Sequence, residues 1–170
     1  GYQPGNFQAN FSGAVSVSEA LQKSLNVPAV EVLDRLGATR FMSELKRGGL
    51  TLALPGSEPN LSIILGGASV NLEALVSAYT SLARGGIAGK PRYTSDFPIV
   101  ETRMMSEGAA FIVRDILEAG GISARAIEER LGAQRGIAWK TGTSFGFRDA
   151  WAIGVSDSFT VGVWIGRPDG

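Results

Sequence analysis

Two short motifs carry the chemistry this chain can do. Lys140-Thr141-Gly142-Thr143-Ser144 lies between apolar stretches late in the sequence, and Ser24-Leu25-Asn26 precedes it. A Lys-Thr-Gly following a Ser-x-Asn is a pattern of sites in which a serine attacks a peptide-like carbonyl. On a strand, alternate side chains share a face, so Thr141 and Thr143 point together and Lys140 points the other way. Two hydroxyls on one face, with a lysine close by, can receive a carboxylate. Gly142 between them lets a ligand lie against the strand backbone, and the N–H of Thr143 can serve as one donor of an oxyanion hole. The Ser24 hydroxyl can relay a proton between a base and a leaving amine, while the Asn26 amide can hold a peptide group. Each motif also has a plain alternative: an exposed strand with polar side chains, and a serine closing a helix ahead of another helix start.

A serine nucleophile with its lysine, Ser-x-x-Lys, is expected ahead of both motifs and is not in this sequence. Ser43-Glu44-Leu45-Lys46 has the spacing that puts both side chains on one helix face. It follows the Ser-x-Asn triplet instead of preceding it, and Arg40 and Arg47 mark its face as solvated, so it is rejected as a nucleophile.

Composition narrows the field further. The 170 residues hold no His and no Cys, which removes Ser-His-Asp and Cys-His machinery and the commonest zinc ligands. A hydrolase or acyltransferase built from this chain needs lysine as its base, and neither a metal nor a cofactor is expected. Sixteen basic and sixteen acidic residues cancel, which argues against a nucleic-acid footprint. No apolar run approaches the roughly 20 residues of a membrane span. Hydrophobic residues at 44% suit one globular unit with a real core.

Helices come first in the pattern. Ser16-Val17-Ser18-Glu19 is a capping box for a short helix ending near Ser24, and Pro28 is expected to open a second, with Val30, Leu33 and Leu36 inward and Gly37 at its end. A third runs over 39–47 to Gly48-Gly49. Residues 50–67 read as loop with one short element. Asn71 caps a helix whose Leu72, Leu75, Val76, Tyr79, Leu82 and Ala83 keep helical spacing up to Gly85-Gly86. Residues 87–105 read as weakly extended. Ser106 caps a helix carrying Ile112, Val113, Ile116 and Leu117, closed by Gly120-Gly121, and 123–131 adds one more. From 137 the character changes, and 137–143, 150–156 and 159–166 read as three antiparallel strands in a meander, with Ser156-Asp157-Ser158 as a hairpin turn. Trp139, Trp151 and Trp164 read as packing residues, with a substrate contact as the alternative for one at the rim, and Arg148-Asp149 as a turn or a local ion pair. Helices followed by strands indicate an α+β fold.

The chain as a whole resembles the transpeptidase domain of class A, bifunctional penicillin-binding proteins. The stretches that carry the likeness begin with Tyr2-Gln3-Pro4-Gly5-Asn6-Phe7, Gly13-Ala14-Val15-Ser16 and Glu19-Ala20-Leu21-Gln22-Lys23-Ser24-Leu25-Asn26-Val27-Pro28-Ala29-Val30. They continue with Pro59-Asn60-Leu61-Ser62, Leu65-Gly66-Gly67, the Lys140–Ser144 motif, Arg148-Asp149-Ala150-Trp151 and Gly162-Val163-Trp164-Ile165-Gly166-Arg167-Pro168-Asp169-Gly170.

The resemblance implies a penicillin-binding/β-lactamase-like fold, with a five-stranded antiparallel sheet between helical layers. It implies a serine that opens the D-Ala-D-Ala end of a peptidoglycan stem peptide, after which a neighbouring stem's amine resolves the acyl-enzyme. In that scheme Ser24 relays the proton and Lys140 supports it and the ligand's anionic end. Asn26 holds the substrate amide, Thr141 and Thr143 bind the carboxylate beside Gly142, and the Thr143 N–H enters the oxyanion hole. β-Lactams imitate the same substrate end. Residues 1–170 then form the C-terminal part of the domain, with an incomplete sheet that exposes apolar surface. The nucleophile helix, the first strands, a glycosyltransferase domain and a membrane anchor on the periplasmic side of the bacterial inner membrane belong to sequence outside this chain. A D,D-carboxypeptidase or β-lactamase-like hydrolase, and a non-catalytic module that binds stem peptides or partner proteins, remain as alternatives.

Overall fold

The computed structural model describes residues 13–118 and 136–167. The opening segment, the helix expected over 123–131, the Gly120-Gly121 stop and the family-like stretches at 2–7 and 168–170 lie outside these residues. Among the described residues no helix is long and apolar enough to cross a membrane.

Side-chain caps set the helix starts. Ser16 Oγ accepts from the Glu19 N–H at 3.1 Å and opens α1, Val17–Gln22. Helix α2 spans Asn26–Leu36 and begins two residues earlier than the proline suggested. Pro28 sits at its third position and costs no intrahelical bond there, because the first four N–H groups of a helix have no partner within it. Leu33 is 2% exposed and Val30 is buried, but Leu36 stays at the surface, contrary to expectation. Gly37, at φ 87°, ends α2 and leads into α3, Ala38–Arg47. A 3-10 turn, Leu61–Leu65, packs against α2. Asn71 Oδ1 takes the Ala74 N–H at 2.7 Å to start α4, Leu72–Ala83. Strands β1, Ile87–Gly89, and β2, Glu101–Arg103, then pair as a short antiparallel ribbon where only weak extension was expected. Ser106 Oγ accepts from the Ala109 N–H and caps α5, Glu107–Glu118. Ile112 on α5 is exposed, while Ile116 and Leu117 are buried.

The closing meander is as its pattern predicts. Strands β3, Ala138–Thr143, β4, Asp149–Val155, and β5, Thr160–Gly166, form an antiparallel sheet in the order β3-β4-β5. Ser156 closes the β4–β5 hairpin, its N–H on the Phe159 carbonyl and its Oγ accepting from the Phe159 N–H. Arg114 straps that hairpin to α5, donating to Glu118 at 2.6 Å and to Asp157 at 2.5 Å.

One face of the sheet is covered. Helix α4 crosses β4 and β5, α5 lies along β3, and α1 packs on α5. Leu82, Leu117, Ala138 and Val155 form the core between them, with Leu21, Tyr79, Met105 and Val113 packed around it. Gly162 lets α4 approach β5 closely, since a Cβ there would stand 2.3 Å from Val76 Cγ2 and 2.8 Å from Leu72 Cδ1. Gly162→Ala is therefore expected to cost about 1–3 kcal/mol by overpacking. It should lower the urea midpoint without changing the slope; an unchanged midpoint would show that α4 can shift freely.

The opposite face is open among the described residues. Val161, Val163 and Ile165 are 59%, 49% and 71% exposed. The strand register puts them on the same side as Thr141 and Thr143.

Candidate active site

Ser24 stands where helix geometry usually calls for glycine. The Leu25 N–H bonds to the Ala20 carbonyl at 2.9 Å and the Ser24 N–H to the Leu21 carbonyl at 3.3 Å. This paired closure of a helix end needs a left-handed residue at the turn. Ser24 supplies it at φ 54°. A non-glycine residue there costs about 1–2 kcal/mol, and such strain concentrates at functional sites. The gain is aim. The turn lifts the Ser24 hydroxyl out of the α1–α2 connection, and Gln22 Nε2 pins α1 to α5 through the Ile116 carbonyl at 3.0 Å. Helix α5 in turn lies along β3. Gln22 was not foreseen as a positioning residue; a long polar side chain beside the inward-facing Leu21 was its only trace in the sequence.

Lys140 comes from the other side. On β3 it pairs with Ile153, which is 2% exposed, and so shares the helix-covered face with Ala138. Its Nζ donates to Ser24 Oγ, across 116 positions of sequence. It also donates to the Thr141 carbonyl at 2.8 Å. An ammonium has three N–H groups, and these two contacts occupy two of them. Partial burial pushes the Lys140 pKa below the ordinary lysine range, because leaving water disfavours the charged form.

The backbone of β3 completes the geometry. The Ser144 N–H bonds to the Asp149 carbonyl at 3.0 Å, which makes residues 144 and 149 a hydrogen-bonded pair. Alternation along an antiparallel ladder then turns the N–H groups of Thr143 and Thr141 away from β4. No described strand pairs with that side of β3. The edge therefore presents N–H groups, with Thr141, Gly142 and Thr143 all exposed along it. Asn26, the first residue of α2, is half-buried two positions beyond Ser24.

Ser43 is disposed of by its own helix. Its Oγ donates to the Thr39 carbonyl at 3.0 Å, and Lys46 is exposed. Of the tryptophans, Trp151 and Trp164 pack together with ring centroids 6.2 Å apart, and Trp139 is half-buried on β3.

A strained serine bonded to a lysine beside an open strand edge is what the two motifs require if they act together. The model of the penicillin-binding protein transpeptidase domain matches residues 2–164. The chain belongs to this transpeptidase family. It is 51% identical to penicillin-binding protein 1C of Escherichia coli (strain K12), over 99% of this chain and 22% of that protein. The crystal structure of penicillin-binding protein 1A from Haemophilus influenzae superposes with a TM-score of 0.82 at 19% identity, covering 99% of this chain and 32% of that one. A Burkholderia ambifaria structure, described as a peptidoglycan glycosyltransferase, superposes at 0.68 with 21% identity, over 92% of this chain and 58% of that one. The two structures show the α+β penicillin-binding fold; the 1C relative and the family model carry the membership. The chain thus spans about a fifth of the length of the 1C protein.

Proposed function

We propose that this region forms the proton-relay and carboxylate-binding half of a serine D,D-transpeptidase site that cross-links peptidoglycan stem peptides. The observation that carries it is the Lys140–Ser24 contact at the open edge of β3. A stem peptide ending in D-Ala-D-Ala lies along that edge. Its carboxylate meets the Thr141 and Thr143 hydroxyls and the remaining N–H of Lys140, and Asn26 holds a backbone amide. A serine supplied by sequence outside this chain adds its Oγ to the penultimate D-Ala carbonyl. The Thr143 N–H then meets the oxygen on which negative charge builds. The proton of that attacking serine goes to its own base, the lysine of the Ser-x-x-Lys supplied by the same outside sequence. Ser24 relays it: the hydroxyl gives its hydrogen to the departing D-Ala amine and takes the proton from that base in return, while Lys140 holds the Ser24 oxygen in place. A second stem's amine resolves the ester. β-Lactams enter as imitations of the same end. The parent polypeptide carries the nucleophile helix, the first strands of the sheet, the layer that covers Val161, Val163 and Ile165, and a glycosyltransferase domain. Its anchor holds this region on the periplasmic side of the inner membrane.

The test is the pH dependence of acylation by a penicillin in the complete polypeptide. Lys140 must be charged to hold a carboxylate, and burial lowers its pKa. The rate should therefore fall as pH rises, with a midpoint below the ordinary lysine value of about 10.4. Lys140→Arg, which stays charged, should remove that limb whatever its effect on the neutral-pH rate. A rate that holds level through the lysine range would reject the role. Release of D-Ala from a donor pentapeptide, with cross-linked product when an acceptor amine is present, separates transpeptidation from simple hydrolysis.

A further inference from the structure

Past Thr143 the chain turns sharply, and the turn is tied at both ends. The Ser144 N–H bonds to the Asp149 carbonyl at 3.0 Å, and the Asp149 N–H returns to Ser144 Oγ at 2.9 Å. Within the turn Gly146 and Phe147 are both left-handed, at φ 75° and 57°. The second of these is unfavourable for a residue with a bulky side chain, so the turn needs its ties to hold this shape. The Asp149 carboxylate reaches across to β5, where Oδ1 accepts from Trp164 Nε1 at 2.9 Å in a partly buried contact. Trp164 is itself packed against Trp151. Gly166, which pairs with Asp149, leaves the space for this contact. A Cβ at Gly166 would stand 2.7 Å from Asp149 Oδ1 and 2.7 Å from Trp164 Cζ2.

We infer that Asp149 is a positioning residue. Anchored to the Trp164 indole, it holds Ser144 in its pairing with β4 and so keeps the neighbouring Thr143 N–H turned to the free edge of β3. This rests on the proposed role of that N–H as an oxyanion donor. The carboxylate acts here through its acceptor oxygen and not through its charge, because its partner is a neutral indole. Two consequences separate this role from general support of the fold. Asparagine, which retains an acceptor oxygen, can replace Asp149, whereas alanine cannot. The loss also falls on the acylation step and spares ligand binding.

The experiment uses the complete polypeptide and a chromogenic cephalosporin, with stopped-flow data resolved into a non-covalent binding constant and an acylation rate constant. Asp149→Ala and Trp164→Phe should slow acylation about tenfold, less than the 10²–10³ typical of deleting an oxyanion donor. The binding constant should change little. Asp149→Asn should restore the rate, and Gly166→Ala, which crowds the same contact, should lower it. Amide hydrogen exchange over 142–149 should quicken in Asp149→Ala and return to the wild-type rate in Asp149→Asn. Wild-type acylation in Asp149→Ala, equal losses in the asparagine and alanine variants, or a loss matching only the fraction unfolded would each overturn the inference. If the unsubstituted polypeptide takes no β-lactam, the proposed function fails, and the exchange comparison alone decides whether Asp149 holds the turn.

Discussion

In a polypeptide that joins this region to its nucleophile, Lys140→Ala is expected to slow β-lactam acylation by at least on the order of 10²–10³. The lysine does three things that alanine cannot. It donates to Ser24 Oγ, it donates to the Thr141 carbonyl at 2.8 Å, and it keeps a third N–H and a positive charge for a ligand carboxylate. Losing the first leaves the relay hydroxyl without its partner, and losing the third removes the charge that draws the ligand to the edge. Stability should move differently. Because burial lowers the pKa of Lys140, the fold disfavours its charged form at neutral pH. That cost offsets what its two hydrogen bonds contribute, so removing it should leave the melting temperature little changed. The pairing of lost acylation with a little-changed melting temperature marks a residue kept for chemistry. Near-normal acylation in Lys140→Ala would end the assignment of roles to both motifs.

How much of this was readable from residues alone differs by element, for physical reasons. Helix starts were legible because caps are local. Ser16, Asn71 and Ser106 each accept the N–H expected of them three residues on. The meander was legible because β-branched runs and short turns leave little choice of pairing. Where two local signals competed, as at Pro28, the start of α2 was missed. The left-handed turn at Ser24 carried no glycine to announce it. Its conformation is imposed by the helix closure and by the Gln22 contact to α5, and such contacts have no signature in local sequence. The Asp149–Trp164 bond is of the same kind; at the level of sequence Asp149 was only a turn residue beside Arg148. The meeting of Ser24 with Lys140 was expected from their shared chemistry and from the family likeness, never from spacing.

Residues 1–170 alone are expected to form no covalent adduct with a penicillin, whereas the polypeptide that includes an upstream Ser-x-x-Lys helix forms one per molecule. A serine attacks at neutral pH only when a base takes its proton. Ser43 has none, since its hydroxyl is spent on the Thr39 carbonyl at 3.0 Å and Lys46 is exposed. Ser24 is the harder case, because it touches a lysine whose pKa is lowered. That lysine points N–H groups at Ser24 Oγ and at the Thr141 carbonyl, so it meets Ser24 as a donor to its oxygen and not as the acceptor of its proton. The contact suits a residue that passes a proton on and disfavours one that loses it to attack. The isolated chain also leaves Val161, Val163 and Ile165 uncovered, so folding should first be verified by circular dichroism and by retained burial of the β3–β4 amides. Intact-mass analysis after penicillin exposure is the measurement, with peptide mapping of any modified species. A stoichiometric adduct on Ser24 would make Lys140 a base and turn the region into a self-sufficient serine–lysine site. One on Ser43 would restore the pair rejected on its helix face. Either result would displace the nucleophile from where the proposed function puts it.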